Sequence, residues 1–255
     1  MINWLTKPFK KNSSNFLPPE VWVDLHAHIL PGVDDGPKTL DESLEVVETA
    51  AKMGITHIVA TPHFSDLFPN APERKESALA LLRSSVKKNN INIKILSGWE
   101  VSFTDIHVNQ IRFGENLRLT ENSKYTLLEL PNGVNKKAVM EGIFSLMVSG
   151  TKIIIAHPER NSLVQQDIGL VKELCLRDVK MQIDAESIVG INGHEAKETA
   201  FELLKNDKVH ALSSDAHSLV GYKHYLDACK IINKNFGKNI IDFLLSEQPT
   251  LIAGI

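Results

Sequence analysis

Short runs of β-branched and other apolar residues alternate along this chain with longer stretches of helical periodicity. The runs 21–26, 55–61, 91–97, 125–130, 152–156, 179–184 and 209–213 are too short for helices and too evenly apolar for half-exposed strands. They predict strands buried on both faces. The segments 41–53, 73–88, 135–149, 165–177, 194–206 and 222–236 space their apolar residues three and four apart, which predicts helices with one buried face. The stretch 97–125 is the least clear, and its helix is expected to be short. Thr39 or Asp41 stands where the first helix needs an N-cap, and Gly54 and Gly150 follow helices as C-cap signals. Strands alternating with helices imply a parallel α/β sheet, and seven repeats favour a distorted (β/α)7 TIM-like barrel of one domain over an open sheet. Residues 12–19, NSSNFLPP, form a polar, proline-containing linker. The barrel is therefore expected over 21–255, with 1–20 as a flexible extension.

Polar residues of one chemical kind fall where the predicted strands end. His26, His28, Asp34 and Asp35 stand in HAHILPGVDDG, His63 in ATPH and Glu100 in GWE. His157, Glu159 and Arg160 stand in HPER, and Asp215 and His217 in SDAH. Residues i and i+2 of a strand point to the same face, so His26 and His28 aim together, as do Asp215 and His217. The C-terminal ends of parallel barrel strands open on one rim. Five strands thus deliver imidazoles and carboxylates to one place. A set without thiolates suits Mn, Fe or Zn and has room for more than one ion. Glu129, Asp184 and Glu186 lie on the same rim as candidates for supporting or substrate contacts. Asp34 and Glu159 are expected to shape their loops. His57 and His210 fall near the opposite rim, with packing or surface roles, and His107, His194 and His224 are expected at the surface.

Composition narrows the classes. The chain has 255 residues, 43% hydrophobic and 23% charged, with a net charge of −3, ordinary for a globular protein and unlike the basic face of a nucleic-acid binder. Cys175 and Cys229 fall in helical segments without a CxxC pair, so both are expected as small buried hydrophobes in a reducing, cytoplasmic setting. Neither has an arginine six residues on, where Met181 and Asn235 stand, so a cysteine-loop phosphatase is excluded. No run is long and apolar enough for a signal peptide or a membrane span. Trp4, Leu5 and Phe9 among Lys7, Lys10 and Lys11 leave open a peripheral contact with a membrane surface.

HxHxLPGxDDG followed by ATPH, GxE, HPER and SDAH resembles the bacterial capsule- and exopolysaccharide-associated tyrosine phosphatases of the polymerase-and-histidinol-phosphatase (PHP) superfamily, over about 21–222. HPER with LPGxDDG marks that branch, whereas HxH and SDAH mark only the superfamily. The resemblance implies a PHP-type barrel holding three divalent ions, Mn foremost, with Fe or Zn as alternatives. His26, His28, Glu100 and Asp215 would hold one ion. Glu100 would bridge to a second, also bound by His157, and Asp35, His63 and His217 would hold the third. Arg160 would bind the substrate phosphate. Ala27 replaces a cysteine and Phe64 a histidine often found in the family, neither of them a ligand.

The implied activity is hydrolysis of protein phosphotyrosine by metal-activated hydroxide, with a capsule or exopolysaccharide tyrosine kinase as the substrate protein. Three divalent ions bring about +6; Asp35, Glu100, Asp215 and a hydroxide leave the site near about +2, which attracts a phosphate dianion. A small-molecule phosphatase, such as one for histidinol phosphate, is the main alternative. An amidohydrolase would need a metal-bridging lysine or its substitute at a mid-barrel strand end. A non-catalytic metal-stabilised module would show a broken ligand set, and this set is complete.

Overall fold

The computed structural model describes residues 16–112 and 117–255. Most of the expected N-terminal extension, residues 1–15, lies outside the described residues. The strands are β1 (Val23–Ala27), β2 (His57–Ala60), β3 (His63–Phe64), β4 (Lys94–Ser97), β5 (Glu100–Ser102), β6 (Tyr125–Glu129), β7 (Lys152–Ala156), β8 (Lys180–Asp184) and β9 (Ala211–Ser213). All pairings are parallel: β1 with β2, β2 with β4, β3 with β5, then β5 through β9 in chain order. β3 resumes the line of β2 after Thr61 and Pro62, and β5 resumes that of β4 after Gly98 and Trp99. The nine strands therefore trace seven lines. The last meets the first where Asp215 N–H donates to His26 O (2.9 Å) and His28 N–H donates to Ala216 O (3.0 Å). The distorted seven-stranded barrel expected from the sequence is the fold, with two of its strands broken.

The breaks have local causes. Proline at 62 has no N–H for the ladder. At Gly98 a Cβ would collide with Leu119 O and the Val59 side chain, so only glycine lets the 117–123 segment pack beneath the strand.

The helices are α1 (Leu40–Met53), α2 (Ala71–Lys88), α3 (Asp105–Arg112), α4 (Lys136–Val148), α5 (Ser162–Gln166), α6 (Gly169–Cys175), α7 (Ala185–Val189), α8 (His194–Lys205), α9 (Leu219–Phe236), α10 (Lys238–Asp242) and α11 (Gln248–Ala253). α1 starts on a capping box, in which Thr39 Oγ1 accepts from Glu42 N and the Glu42 carboxylate accepts from Thr39 N, and it stops at left-handed Gly54. The single helix expected over 165–177 is two. Asp167 Oδ1 accepts from Gly169 N (2.9 Å), and this side-chain cap restarts the helix.

Outward-facing apolar residues of the strands pack against the helices. Inside the barrel, Val23, Leu25, Val59, Leu127, Ile154 and Ala211 form a second core. Ile252 and Ala253 of α11 complete that core from below. They are tied in where Thr120 Oγ1 donates to Ala253 O (2.6 Å) and Ser123 Oγ donates to Ile252 O (2.5 Å). The C-terminal helix is thus a plug at the end remote from the strand ends that carry the histidines and carboxylates. No helix among the described residues is long and apolar enough to cross a membrane.

His210 has the packing role expected of it. Its Nδ1 accepts from Met181 N (3.2 Å) just before β9. Burial lowers its pKa from 6.5 to about 4. In the unfolded chain the imidazole protonates near 6.5, so folding stability is fully present above that pH and declines as pH falls from 6.5 towards 4. The loss should reach about 3 kcal/mol. Urea denaturation at pH 7.5 and 4.5 should show His210→Gln losing distinctly less stability over that interval than the parent; equal losses would contradict the assignment.

Candidate metal centre

All the strand-end residues singled out by sequence meet on one rim, and Glu100 is their centre. Its Oε1 lies 2.9 Å from His157 Nε2. Its Oε2 lies 2.9 Å from His63 Nδ1, 3.3 Å from His28 Nε2 and 3.4 Å from His26 Nε2. Asp215 Oδ1 faces His26 Nε2 (3.3 Å) and His28 Nε2 (3.4 Å) from the other side. Asp35 Oδ1 lies 3.2 Å from His217 Nε2 and 3.7 Å from His63 Nε2. Among the described residues, three groups that could hold a metal ion result: His26–Glu100–His157, His26–His28–Asp215 and His28–Asp35–His63–His217, each with donor atoms within 4.8 Å of one another. A fourth, His63–Glu100–Glu129, adds a carboxylate expected from the sequence only in a supporting or substrate contact. Glu129 ends β6 opposite Ser102, two residues beyond the register of Glu100, and that rim position is its one signal in the sequence.

The imidazoles are held from behind so that their inner nitrogens face the cluster. Asp34 Oδ2 accepts from His28 Nδ1–H (2.7 Å), and Gln182 Oε1 accepts from His26 Nδ1–H (3.0 Å). The Asp215 carbonyl accepts from His217 Nδ1–H (2.8 Å). Each bond fixes the tautomer that leaves Nε2 as a lone pair, the arrangement seen behind metal-ligating histidines. Asp34 also accepts from His63 N and Gly36 N, so one carboxylate orders the loop and aims two ligands. Gly36 is required there, because a Cβ would strike the His28 carbonyl.

The donor set fits divalent cations. Glu100 Oε2 and Asp215 Oδ1 are buried and make no hydrogen bond of acceptable geometry, although imidazole nitrogens surround them. Burial disfavours a charged His26, yet Glu100 and Asp215 beside it raise its pKa to about 9. Burial likewise disfavours an ionised Glu100, and His26 and His157 still hold it well below the usual carboxylate range. Protons here balance carboxylates in a place where cations would do so without them. Two residues of the cluster also adopt left-handed backbone: His157 at φ 29° and Asp215 at φ 46°. Such conformations cost energy in residues with a Cβ and concentrate at functional sites.

Arg160 stands at the edge of the cluster. Pro158–Arg160 is one 3-10 turn following β7, and Arg160 Nη1 donates to Asp215 Oδ2 (2.7 Å). Its side chain is 38% exposed, open to a polar cavity of about 330 Å³ that Glu129, His157, Asn161 and Asn192 also line. Glu159 is buried and accepts from Asp184 N (2.9 Å), a loop-shaping role. Two expectations change. His107 is buried, not at the surface, because its Nδ1–H donates to Ser102 O (2.7 Å) and its ring meets the Phe64 edge. Cys229 is buried, but Cys175 is only partly so.

Comparison with known proteins agrees with this geometry. The sequence profile for capsular polysaccharide synthesis, CpsB/CapC, matches residues 22–253. The tyrosine-protein phosphatase YwqE of Bacillus subtilis (strain 168) is 29% identical over 232 residues, 90% of this chain and 91% of its own. CapC of Staphylococcus aureus is 32% identical over 77% of each chain. A crystal structure from work on YwqE of Bacillus subtilis and CpsB of Streptococcus pneumoniae, described as unique metal-dependent tyrosine phosphatases, superposes with a TM-score of 0.81. It shares 29% identity and covers 91% of this chain and 94% of that one. With its strand-end ligands gathered on one rim and the profile spanning nearly all of its barrel, this chain belongs to the CpsB/CapC family.

Proposed function

We propose that this protein is a metal-dependent protein-tyrosine phosphatase, acting on phosphotyrosine of a capsule or exopolysaccharide tyrosine kinase. The observation that carries this reading is the cluster of buried His26, His28, Glu100 and His157 with Asp215 and the more open His63, His217 and Asp35, bordered by the Arg160 guanidinium. The family resemblance implies three divalent ions, Mn foremost, and the groups His26–Glu100–His157, His26–His28–Asp215 and His28–Asp35–His63–His217 support a site for more than one ion. Divalent cations held by these residues would supply Lewis-acid charge and would lower the pKa of a water, giving hydroxide near neutral pH. Asp34, Gln182 and the Asp215 carbonyl keep the imidazole lone pairs turned inward. Arg160 presents a planar fork to the phosphate oxygens and stabilises charge that grows on them. A phenolate, with pKa about 10, leaves without obligatory help from an acid.

The test is an assay of purified protein on phosphotyrosine, phosphoserine and phosphothreonine peptides beside histidinol phosphate. Chelation should abolish turnover, and Mn²⁺ should restore it, with phosphotyrosine the fastest substrate. Full activity without metal would refute the proposal, and faster histidinol phosphate hydrolysis would make it a small-molecule phosphatase.

Thiol chemistry has no part in this scheme. Burial pushes the Cys175 thiol up to about 11 and the Cys229 thiol well above its usual value, so neither is a thiolate at neutral pH. The double variant Cys175→Ser, Cys229→Ser should retain phosphatase activity. A folded, metal-replete double variant without activity would overturn the hydrolytic mechanism.

A further inference from the structure

Arg160 touches two carboxylates, and only one belongs to the ligand cluster. Asp215 Oδ2 is the nearer at 2.7 Å, but its other oxygen is committed to His26 and His28. The second carboxylate is Asp184, at the end of β8, whose Oδ2 lies 3.4 Å from Arg160 Nη1. Asp184 is itself closely fixed. Its Oδ1 caps α7 by accepting from Glu186 N (2.9 Å). Its backbone N–H donates to Glu159 Oε1, next to Arg160 in sequence. Its Oδ2 accepts from Asn192 Nδ2 at 2.6 Å, and Asn192 also donates to Ser187 Oγ (3.2 Å). Asn192 lies in the loop after α7 and lines the same cavity as Arg160 and His157.

We infer that Asp184 and Asn192 are a positioning pair, which holds the Arg160 guanidinium at the cavity wall where a substrate phosphate is received. The inference rests on the phosphatase reading and assigns residues that act through Arg160 and touch no reacting atom. An arginine side chain loses much rotamer freedom when it is held in one place. A fixed carboxylate behind it meets part of that cost before the substrate arrives. The Asp215 contact alone would draw the guanidinium towards the ligand cluster. Asp184, at the end of β8, gives the same Nη1 a second anchor at 3.4 Å, outside that cluster. Asn192 keeps the Asp184 oxygen turned towards Arg160, since the same oxygen accepts from both.

The test uses full-length, metal-loaded protein. Asn192 is partly exposed, so Asn192→Ala is the main variant. Asp184→Asn, which keeps the shape, is the second. Each should lower kcat/KM for a phosphotyrosine peptide roughly tenfold, chiefly through KM, with metal content unchanged. Affinity for inorganic phosphate, measured by calorimetry, should fall in parallel. In an Arg160→Ala background, Asn192→Ala should change neither quantity by more than about twofold, because the group it positions is gone. Equal losses with and without Arg160 would mean a purely structural role and would overturn the inference. So would unchanged phosphate affinity in Asn192→Ala, or a parent protein that binds no phosphate. The phosphate measurement needs no turnover. A parent that binds phosphate but leaves phosphotyrosine intact would therefore fault the activity assignment, while the Arg160-dependent loss would still support the pair.

Discussion

Glu100→Gln should reduce kcat/KM for phosphotyrosine on the order of a thousandfold, which corresponds to the several kcal/mol that metal-centred charge stabilisation supplies. The substitution keeps the shape of a side chain that is almost fully buried, so the fold should survive, as circular dichroism would show. What changes is charge at the point where His26, His28, His63 and His157 all converge. A neutral amide offers one weak oxygen where a carboxylate offers two charged ones, and its NH₂ would face imidazole nitrogens that need a cation or a proton. Metal content measured after gel filtration should fall together with activity. A variant that keeps its full metal complement and stays within tenfold of the parent rate would remove Glu100 from the centre of the site.

Asp24→Ala should destabilise the protein by about 3 kcal/mol or more, the scale for removing one partner of a buried polar network. Asp24 is wholly buried, and burial raises its pKa to about 6. Its carboxylate accepts from Ser214 Oγ (2.5 Å), Ser214 N (3.0 Å) and Tyr222 OH (3.0 Å), with His26 N at 3.4 Å. One side chain thus joins β1 to the end of β9 and to α9, at the seam that closes the barrel. The substitution would leave those donors unpaired in the interior. Because Ser214 precedes Asp215 and Asp24 lies two residues before His26, metal affinity should fall with stability. Denaturant titration showing a loss below about 1 kcal/mol would mean that water or a neighbour replaces the carboxylate.

The barrel and the cluster on its rim are legible because two patterns coincide in this chain. Seven apolar runs mark strands, and the polar residues at their ends share one chemistry, so His26, His28, His63, Glu100, His157, Asp215 and His217 could be gathered before any coordinates. What escaped depends on contacts between distant segments. The break between β4 and β5 arises where the 117–123 segment passes under Gly98. Residues 237–255 carried no assigned element, and α11 is placed by the hydroxyls of Thr120 and Ser123, more than a hundred residues away. The burial of His107 depends on the Ser102 carbonyl and the Phe64 ring, which local pattern does not reveal. Glu129 was visible as a rim carboxylate but had no second ligand beside it in sequence. The Asp184–Asn192–Arg160 contact joins the end of β8, the loop after α7 and the turn after β7, and leaves no motif.

The positive φ angles of His157 and Asp215 place this protein in a conflict between two kinds of selection. Each such residue costs on the order of 1–3 kcal/mol that glycine would not incur. A library of variants screened only for thermal tolerance would therefore be drawn towards glycine at 157 and 215, two positions that supply donor atoms to the cluster. Melting temperature and turnover would part company there, and engineering for heat resistance would have to shield both positions from its own criterion.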